Sequence, residues 1–221
     1  MYRFPPSAAN DPVFGSDRSL ASSLWPALPL SCPPPACQKA GMDSTAARIE
    51  TERLILRAFR AGDAADYAKL LGDPVSFRYS ERGPMNGTEA WTRLLRHVGH
   101  WALSGYGLFA VEDKATGRFA GEAGFEDFHR GLGDTFDGVP EASWTIASWA
   151  QGRGYATEAA AGALEWLEAR RRPGRTVCLI HAENAPSLRV AGKLGYRAFD
   201  EREYRGYPAL LFERRRAAEA A

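Results

Sequence analysis

Short apolar runs alternate with longer amphipathic stretches from residue 49 onward, and this pattern predicts one α/β domain with a mixed sheet. Runs rich in β-branched and aromatic residues are typical of strands, whereas apolar residues at helical spacing are typical of helices. The predicted strands span residues 54–59, 108–113, 119–125, 141–147, 176–180, 197–204 and 209–213. The predicted helices span residues 63–71, 88–104, 156–170 and 186–194, and Asp63 is expected to cap the first of them.

Residues 1–45 are rich in Pro, Ala and Ser and show no periodicity, so we expect a disordered leader. Within it, Pro33-Pro-Pro35 can enter neither a helix nor a central strand. Met42 stands just before the ordered pattern. Either Met42 is the true start of translation, or the leader is a genuine flexible tail. The predicted domain covers residues 49–215.

Charge and cysteine usage exclude several classes of protein. The net charge of +1 gives no reason to expect a nucleic acid or an anionic membrane as a partner. No run is long and apolar enough to span a bilayer. Cys32, Cys37 and Cys178 form no disulfide framework and no zinc spacing, which fits a cytoplasmic protein. His97 and His100 share a predicted helix without a third ligand, so no metal is expected.

The stretch from Gln151 to Glu158 places two glycines between a predicted strand and a predicted helix. Glycine lets the backbone approach a ligand closely, and the amides at a helix N-terminus favour an anion. No Gly-Lys-Ser/Thr follows, which excludes a Walker loop. Thr157 stands where a dinucleotide fingerprint needs its third glycine. The turn therefore predicts another kind of anion site, and a tight turn without a ligand is the alternative.

Several motifs in a fixed order connect this turn to the rest of the chain. They are Thr51 to Arg57, Glu141-Ala-Ser-Trp144, Trp149 to Ala159, Asn184-Ala-Pro-Ser187 and Lys193-Leu-Gly-Tyr196. In these motifs the chain resembles the GNAT N-acetyltransferase family, especially its RimJ/RimL-like branch. The resemblance implies a mostly antiparallel central sheet flanked by helices, in which two parallel strands splay apart at the cofactor site. It also implies acetyl-CoA as the co-substrate, with no metal.

The resemblance further assigns the residues of the cofactor site. The pantetheine arm would pair with the backbone of the strand end at 146–148, and the pyrophosphate would lie on the amides of the turn, with Arg153 adding charge nearby. Asn184 would orient the thioester or a cofactor amide, or would only cap the helix that follows. The complete set is Ile146, Ala147, Ser148, Gln151, Gly152, Arg153, Gly154, Tyr155, Ala156, Thr157 and Asn184.

Acyl transfer to an amine needs a base, an oxyanion donor and an acid near the sulfur. Glu141 resembles the family glutamate on the strand before the turn and is the first candidate for the base. Glu122, flanked by small residues that would leave room for a ligand, is the second. Either could instead be a solvent-facing carboxylate. Many family members place a tyrosine acid where this chain has Ala191. Ser187 fits the serine used by the branch, or it only bonds the local backbone.

The resemblance implies direct transfer of acetyl from acetyl-CoA to a primary amine, on a small molecule or at a protein N-terminus. The missing tyrosine keeps a second class open, a non-catalytic module that binds or senses acyl-CoA. Asp134 and Asp137, together with Glu141, would favour a cationic acceptor. The sequence names neither the acceptor nor the oligomeric state, and a homodimer stays open.

Overall fold

A mixed β-sheet with helices on both faces forms the part of the chain that the structure, a computed structural model, describes, namely residues 47–80 and 83–216. The leader and the alternative start at Met42 lie outside these residues. The strands are β1 Arg48–Glu50, β2 Leu54–Arg57, β3 Leu108–Asp113, β4 Phe119–Glu126, β5 Glu141–Ile146, β6 Arg175–His181, β7 Arg197–Tyr204 and β8 Tyr207–Arg215. The helices are α1 Ala64–Leu71, α2 Gly87–Ser104, α3 Tyr155–Arg171 and α4 Ala185–Lys193.

The strands follow the order β1-β2-β3-β4-β5-β6-β8-β7 across the sheet. Every neighbouring pair is antiparallel except β5 with β6, which run parallel. That parallel pairing consists of a single residue pair, Glu141 with Val177, where the Val177 amide donates to the Pro140 carbonyl at 3.1 Å. Beyond this pair the two strands no longer share a ladder, so the expected splayed parallel strands are confirmed.

The sheet is buried on both faces, and β3 shows how. Because successive side chains of a strand point to opposite faces, Phe109 and Val111 enter one apolar cluster while Leu108 and Ala110 enter another. The first cluster holds the inward face of α3 together with Trp101 of α2, and the second holds α1 with Ala90 and Leu94 of α2. The sheet therefore forms the middle layer, with the end of β5 between the two sets of helices.

Local residues cap both ends of α2, whereas the side-chain cap predicted for α1 does not form. Asn86 caps α2 by accepting from the Thr88 and Glu89 amides, and Gly105 ends it in the left-handed conformation. The prediction that Asp63 caps α1 is wrong. Its carboxylate accepts two hydrogen bonds from the Arg57 guanidinium, at 2.7 and 2.8 Å, because a bidentate ion pair is stronger than a cap.

No described helix combines the length and the apolar character needed to cross a membrane.

Candidate active site between the parallel strands

The glycine turn after β5 leaves backbone amides open at the start of α3. Gly152 and Gly154 adopt φ of +74° and +83°, a backbone conformation that side-chain-bearing residues rarely adopt. Gly154 is the N-cap of α3 and supplies no side-chain cap, so the first amides of that helix have no capping partner. A Cβ added to Gly152 would meet nothing within 4 Å, so open space lies over the turn. Open amides at a helix N-terminus fit the pyrophosphate of coenzyme A.

Arg53 and Glu158 fix this turn from the side of β2. The Glu158 carboxylate accepts from the Arg53 amide at 2.8 Å, from Arg53 Nε at 2.7 Å and from the Thr51 hydroxyl at 2.6 Å. Arg53 Nη1 also donates to the Arg153 carbonyl at 2.9 Å. A local sequence pattern does not reveal this contact, because its partners are about a hundred residues apart in the chain. The only sequence signal was that both ends fall inside conspicuous motifs.

A first cavity of about 560 Å³, the turn cavity, lies over the glycine turn and against α4. It is lined by all the predicted cofactor residues except Ala147, Ser148 and Arg153. The Ala147 amide instead donates to Ala120 on β4, at 2.9 Å. The exposed Arg153 lies 5.2 Å from the centre of the Tyr155 ring. Cationic side chains of Arg78, Arg189 and Lys193 also line this cavity.

The end of β5 presents one backbone acceptor on the side facing away from β4. The Ile146 carbonyl accepts from Gln151 Nε2 at 2.9 Å and from the Ser76 hydroxyl at 3.3 Å. Because the Ala147 amide of the same peptide points to β4, this carbonyl faces the gap left by the splayed strands. Of the strand end predicted to pair with pantetheine, Ile146 is thus the residue that faces the gap.

A second cavity of about 600 Å³, the strand cavity, opens between β5 and β6. Residues 141–144 form one side and residues 178–181 the other. Trp144, Asn184 and Ser187 line both cavities. The Trp144 indole N–H donates to Ser187 Oγ at 3.3 Å, so this contact lies where the two cavities adjoin. Two ligands could therefore meet beside Ser187.

Glu141 lies on the strand cavity and is only 3% exposed. Its two carboxylate oxygens accept from Nε and Nη2 of Arg130, each at 2.7 Å. Burial raises the pKa of Glu141, and the positive charge of Arg130 offsets only part of that rise. A carboxylate with a raised pKa on a cavity wall has the properties of a general base.

Glu122 has a different environment, fully buried in the core. It accepts from Arg93 Nη2 at 2.7 Å and from the Tyr67 hydroxyl at 2.6 Å, and lies 3.2 Å from His97 Nε2. Burial raises its pKa, but the Arg93 charge and the hydrogen bonds from His97 and Tyr67 outweigh burial, so the net pKa is lowered. Glu122 lines neither of the two cavities.

The small residues beside Glu122 serve strand packing, which corrects the expectation that they leave room for a ligand. A Cβ added to Gly121 would lie 2.1 Å from the Thr145 carbonyl oxygen, and one added to Gly124 would lie 2.5 Å from the Gly107 oxygen. Neighbouring strands fill this space, so only glycine fits.

Asn184 and Ser187 lie in the first turn of α4. Asn184 caps the helix, since its side-chain oxygen accepts from the Ser187 amide at 3.2 Å. Ala191 is fully buried, and Tyr196 is a core residue whose hydroxyl bonds Thr176 at 2.8 Å. Neither residue lines either cavity, whereas Ser187 lines both, as do two other hydroxyl-bearing residues, Tyr79 and Ser80. No group of three or more His, Cys, Asp or Glu within 47–80 and 83–216 could hold a metal ion.

Comparison with known proteins places this geometry in a family. Residues 53–197 match the acetyltransferase (GNAT) domain model. The chain is 30% identical over 175 residues to YkkB of Bacillus subtilis (strain 168), an uncharacterized protein, covering 76% of this chain and 95% of YkkB. A structure from Bordetella pertussis assigned to the GnaT family of acetyltransferases is 34% identical with a TM-score of 0.69, covering 76% of this chain and 99% of that one.

The fold is also that of RimL, a ribosomal L7/L12 α-N-protein acetyltransferase solved in complex with coenzyme A. The two chains share a TM-score of 0.62 at 14% identity, over 76% of this chain and 98% of RimL. The domain match covers most of the described residues and includes the splayed strands, the glycine turn and the start of α4. The chain therefore belongs to the GNAT family of acetyltransferases.

Proposed function

We propose that this protein transfers an acetyl group from acetyl-CoA directly to a primary amine. The observation that carries the proposal is the junction of the two cavities: Ser187 lines both, and Glu141 lies on the strand cavity. A donor in the turn cavity and an acceptor in the strand cavity would meet there. Near-attack geometry of this kind is what direct transfer requires.

Glu141 is the base in this proposal. A primary amine with a pKa of about 10 is mostly protonated at neutral pH, so it must lose a proton before it can attack. Each carboxylate oxygen of Glu141 accepts one hydrogen bond from Arg130. Because a carboxylate oxygen can accept two hydrogen bonds, each keeps one free lone pair. Glu141 can therefore take the proton of the amine, directly or through one water.

Ser187 would stabilise the leaving thiolate. Its oxygen accepts from the Trp144 indole, which leaves its own hydroxyl proton to donate to a ligand. A serine hydroxyl is a weak acid, so its contribution is a hydrogen bond to developing negative charge. Asn184 holds the first turn of α4, and with it Ser187, at the cavity junction.

Acetyl-CoA fits the turn cavity as the donor and supplies the acetyl group as an activated thioester. The amides of residues 152–156 would bind its pyrophosphate, and Ile146 lies where the backbone could bind its pantetheine arm. The acceptor is an amine on a small molecule or at a protein N-terminus. RimL, which has the same fold, acts on the second kind of acceptor.

The test is Glu141→Gln, assayed by thiol release from acetyl-CoA with a panel of amines and peptide N-termini. We expect turnover to fall about 100-fold or more, because general base catalysis is typically worth about 10²–10⁴ in rate. The affinity for acetyl-CoA, measured by calorimetry, should stay within about twofold, since Glu141 does not line the turn cavity. Glu165→Gln, an exposed change on α3, is the matched control and should alter neither quantity.

Two outcomes would contradict the assignment. Unchanged turnover in Glu141→Gln would reject Glu141 as the base. Binding of acetyl-CoA with no thiol release from any amine would favour the alternative class, an acyl-CoA sensor.

A further inference from the structure

The strand cavity carries four guanidinium groups, and one of them lacks an acidic partner. Arg93, Arg96 and Arg130 each form an ion pair, with Glu122, Glu126 and Glu141 respectively. Arg205 also lines this cavity, but it forms no ion pair with any residue in 47–80 or 83–216. Among those residues, the guanidinium of Arg205 forms a cation–π contact with the Tyr204 ring, whose centre lies 5.2 Å away.

Arg205 occupies a backbone position that suits a different residue. It has φ of +53° and precedes Gly206 at +89° in the tight turn between β7 and β8. Two consecutive residues with positive φ are typical of turns that favour Asn-Gly, and arginine is less favourable than asparagine at the first of these positions. The chain thus keeps a cation at the rim of the cavity despite a local conformational cost.

The distance from Arg205 to the arginine that binds the proposed base has an upper bound. The guanidinium of Arg130, which binds Glu141, lies 5.4 Å from the centre of the same Tyr204 ring. Two cations therefore flank one buried tyrosine, and their separation is at most the sum of the two ring distances. A small amine held at Glu141 could reach Arg205 with a second group.

A second arginine that lines the cavity has a donor with no partner among the described residues. Arg93 Nε is buried and has no hydrogen-bond partner among the described residues, although Arg93 Nη2 is bonded to Glu122. The acidic residues expected to attract a cation, Asp134 and Asp137, do not line the cavity. Arg205 is therefore a lining cation without an acidic partner among the described residues, although the carboxylates of Glu89 and Glu141 also line the cavity, and the acidic loop predicted from the sequence does not reach it.

We propose that Arg205 determines acceptor specificity by binding an anionic group, such as a carboxylate, on the amine that is acetylated. The inference rests on the proposed function, because it concerns the acceptor of the same reaction. Arg205 is an exposed lining residue and so is open to a ligand, and guanidinium groups bind carboxylates through paired, charge-assisted hydrogen bonds that a neutral amide cannot form with the same strength.

The experiment compares amines that differ only in charge, using the full chain and the thiol-release assay. One pair is γ-aminobutyrate and its amide. Another is a short peptide with aspartate as its second residue and the same peptide with asparagine. We expect the native protein to prefer the acid over the amide in at least one pair by about tenfold or more in kcat/KM, as for a hydrogen bond to a charged group. A preference within the γ-aminobutyrate pair would indicate a small-molecule acceptor, and a preference within the peptide pair would indicate a protein N-terminus.

Arg205→Asn is the critical variant, because asparagine suits the left-handed turn while removing the cation. We expect the ratio of acid to amide kcat/KM to fall about tenfold, mainly through a higher KM for the acid. Arg172→Asn is the matched control. Arg172 also has a positive φ, of +46°, but it lies at the end of α3 and lines neither cavity. The ratio of acid to amide kcat/KM in Arg172→Asn should therefore equal that of the native protein.

The outcomes separate this inference from the proposed function. Thiol release from amides and acids at equal efficiency, or an unchanged ratio in Arg205→Asn, would overturn the role of Arg205 and leave the acetyltransferase intact. No thiol release from any amine would reject the proposed function itself, and the inference with it. A preference for the acid that disappears in Arg205→Asn and persists in Arg172→Asn would establish it.

Discussion

At the scale of single residues, the two candidate bases are separated by their surroundings. Both Glu141 and Glu122 are buried, and each pairs with an arginine. Glu122 has additional donors in Tyr67 and His97, which lower its pKa, whereas the pKa of Glu141 is raised. The pKa values of two carboxylates of similar burial are thus shifted in opposite directions, and the carboxylate whose pKa is raised, Glu141, faces a cavity.

The pH dependence of turnover follows from Glu141. The base must be ionised, so kcat/KM should fall as pH drops through its raised pKa, and this acidic limb should lie above pH 4.5, the ordinary value. Arg130 lowers that pKa, so Arg130→Met should raise it and move the acidic limb to higher pH. The measurement is a pH profile of kcat/KM in the thiol-release assay.

Methionine is chosen so that contact with Phe128 and Tyr204 is kept when the charge is removed. Arg215→Met, an exposed change at the end of β8, is the control for loss of one positive charge and should leave the limb in place. An acidic limb of the kcat/KM profile that lies at the same or a lower pH in Arg130→Met would contradict the role of Arg130.

At the scale of elements, the proposed binding of the donor depends on the backbone of the connection from β5 to α3. Gly152→Ala should therefore weaken acetyl-CoA binding and also destabilise the fold by about 1 kcal/mol, because alanine is strained at positive φ. Gly117→Ala is the matched control, since Gly117 has φ of +67°, also has open space around it, and lies in the β3–β4 hairpin.

Urea unfolding and calorimetry separate the two effects. Both variants should lose similar stability, while only Gly152→Ala should lose affinity for acetyl-CoA. Equal affinity in the two variants would mean that the turn does not contact the donor.

The contact between α2 and β4 predicts a dependence of stability on pH. His97 is fully buried between Glu122 and Glu126. Burial lowers its pKa, but hydrogen bonds to the two carboxylates outweigh burial, so the pKa is raised above 6.5. The stabilisation by protonated His97 is thus complete below pH 6.5 and is lost as pH rises through the raised pKa.

His97→Gln tests this dependence. The difference in unfolding free energy between the native protein and the variant should be larger at about pH 6 than at about pH 9, measured by urea unfolding. A difference that is constant, or that grows as pH rises, would contradict the assignment of a charged His97.

Local pattern predicted most elements, because the strands and helices of this chain have clear periods. β1 was not predicted, since a run of three residues shows no period. The turn after β5 was found from its glycines alone. The pairs that define the site, Arg130 with Glu141 and Arg53 with Glu158, could not be derived from a local pattern, because each depends on how separate segments fold together.

At the scale of the whole molecule, ligand binding should be visible as thermal stability. Acetyl-CoA at about 100 times its Kd adds about 2.7 kcal/mol to the native state, which raises Tm by roughly 5–10 °C for a domain of this size. Glu141→Gln should show the same rise, because Glu141 does not line the turn cavity. A rise that disappears in Glu141→Gln would show that this variant disturbs donor binding as well as proton transfer.

The shared wall formed by Trp144, Asn184 and Ser187 has a further consequence for kinetics and inhibition. In the proposed direct transfer both reactants are bound together across this wall, so initial-rate plots should intersect, as in a sequential mechanism. A compound that links coenzyme A to an acceptor amine could occupy both cavities at once. Joining the two ligands makes the second binding event intramolecular, so such a bisubstrate compound should bind more tightly than either half.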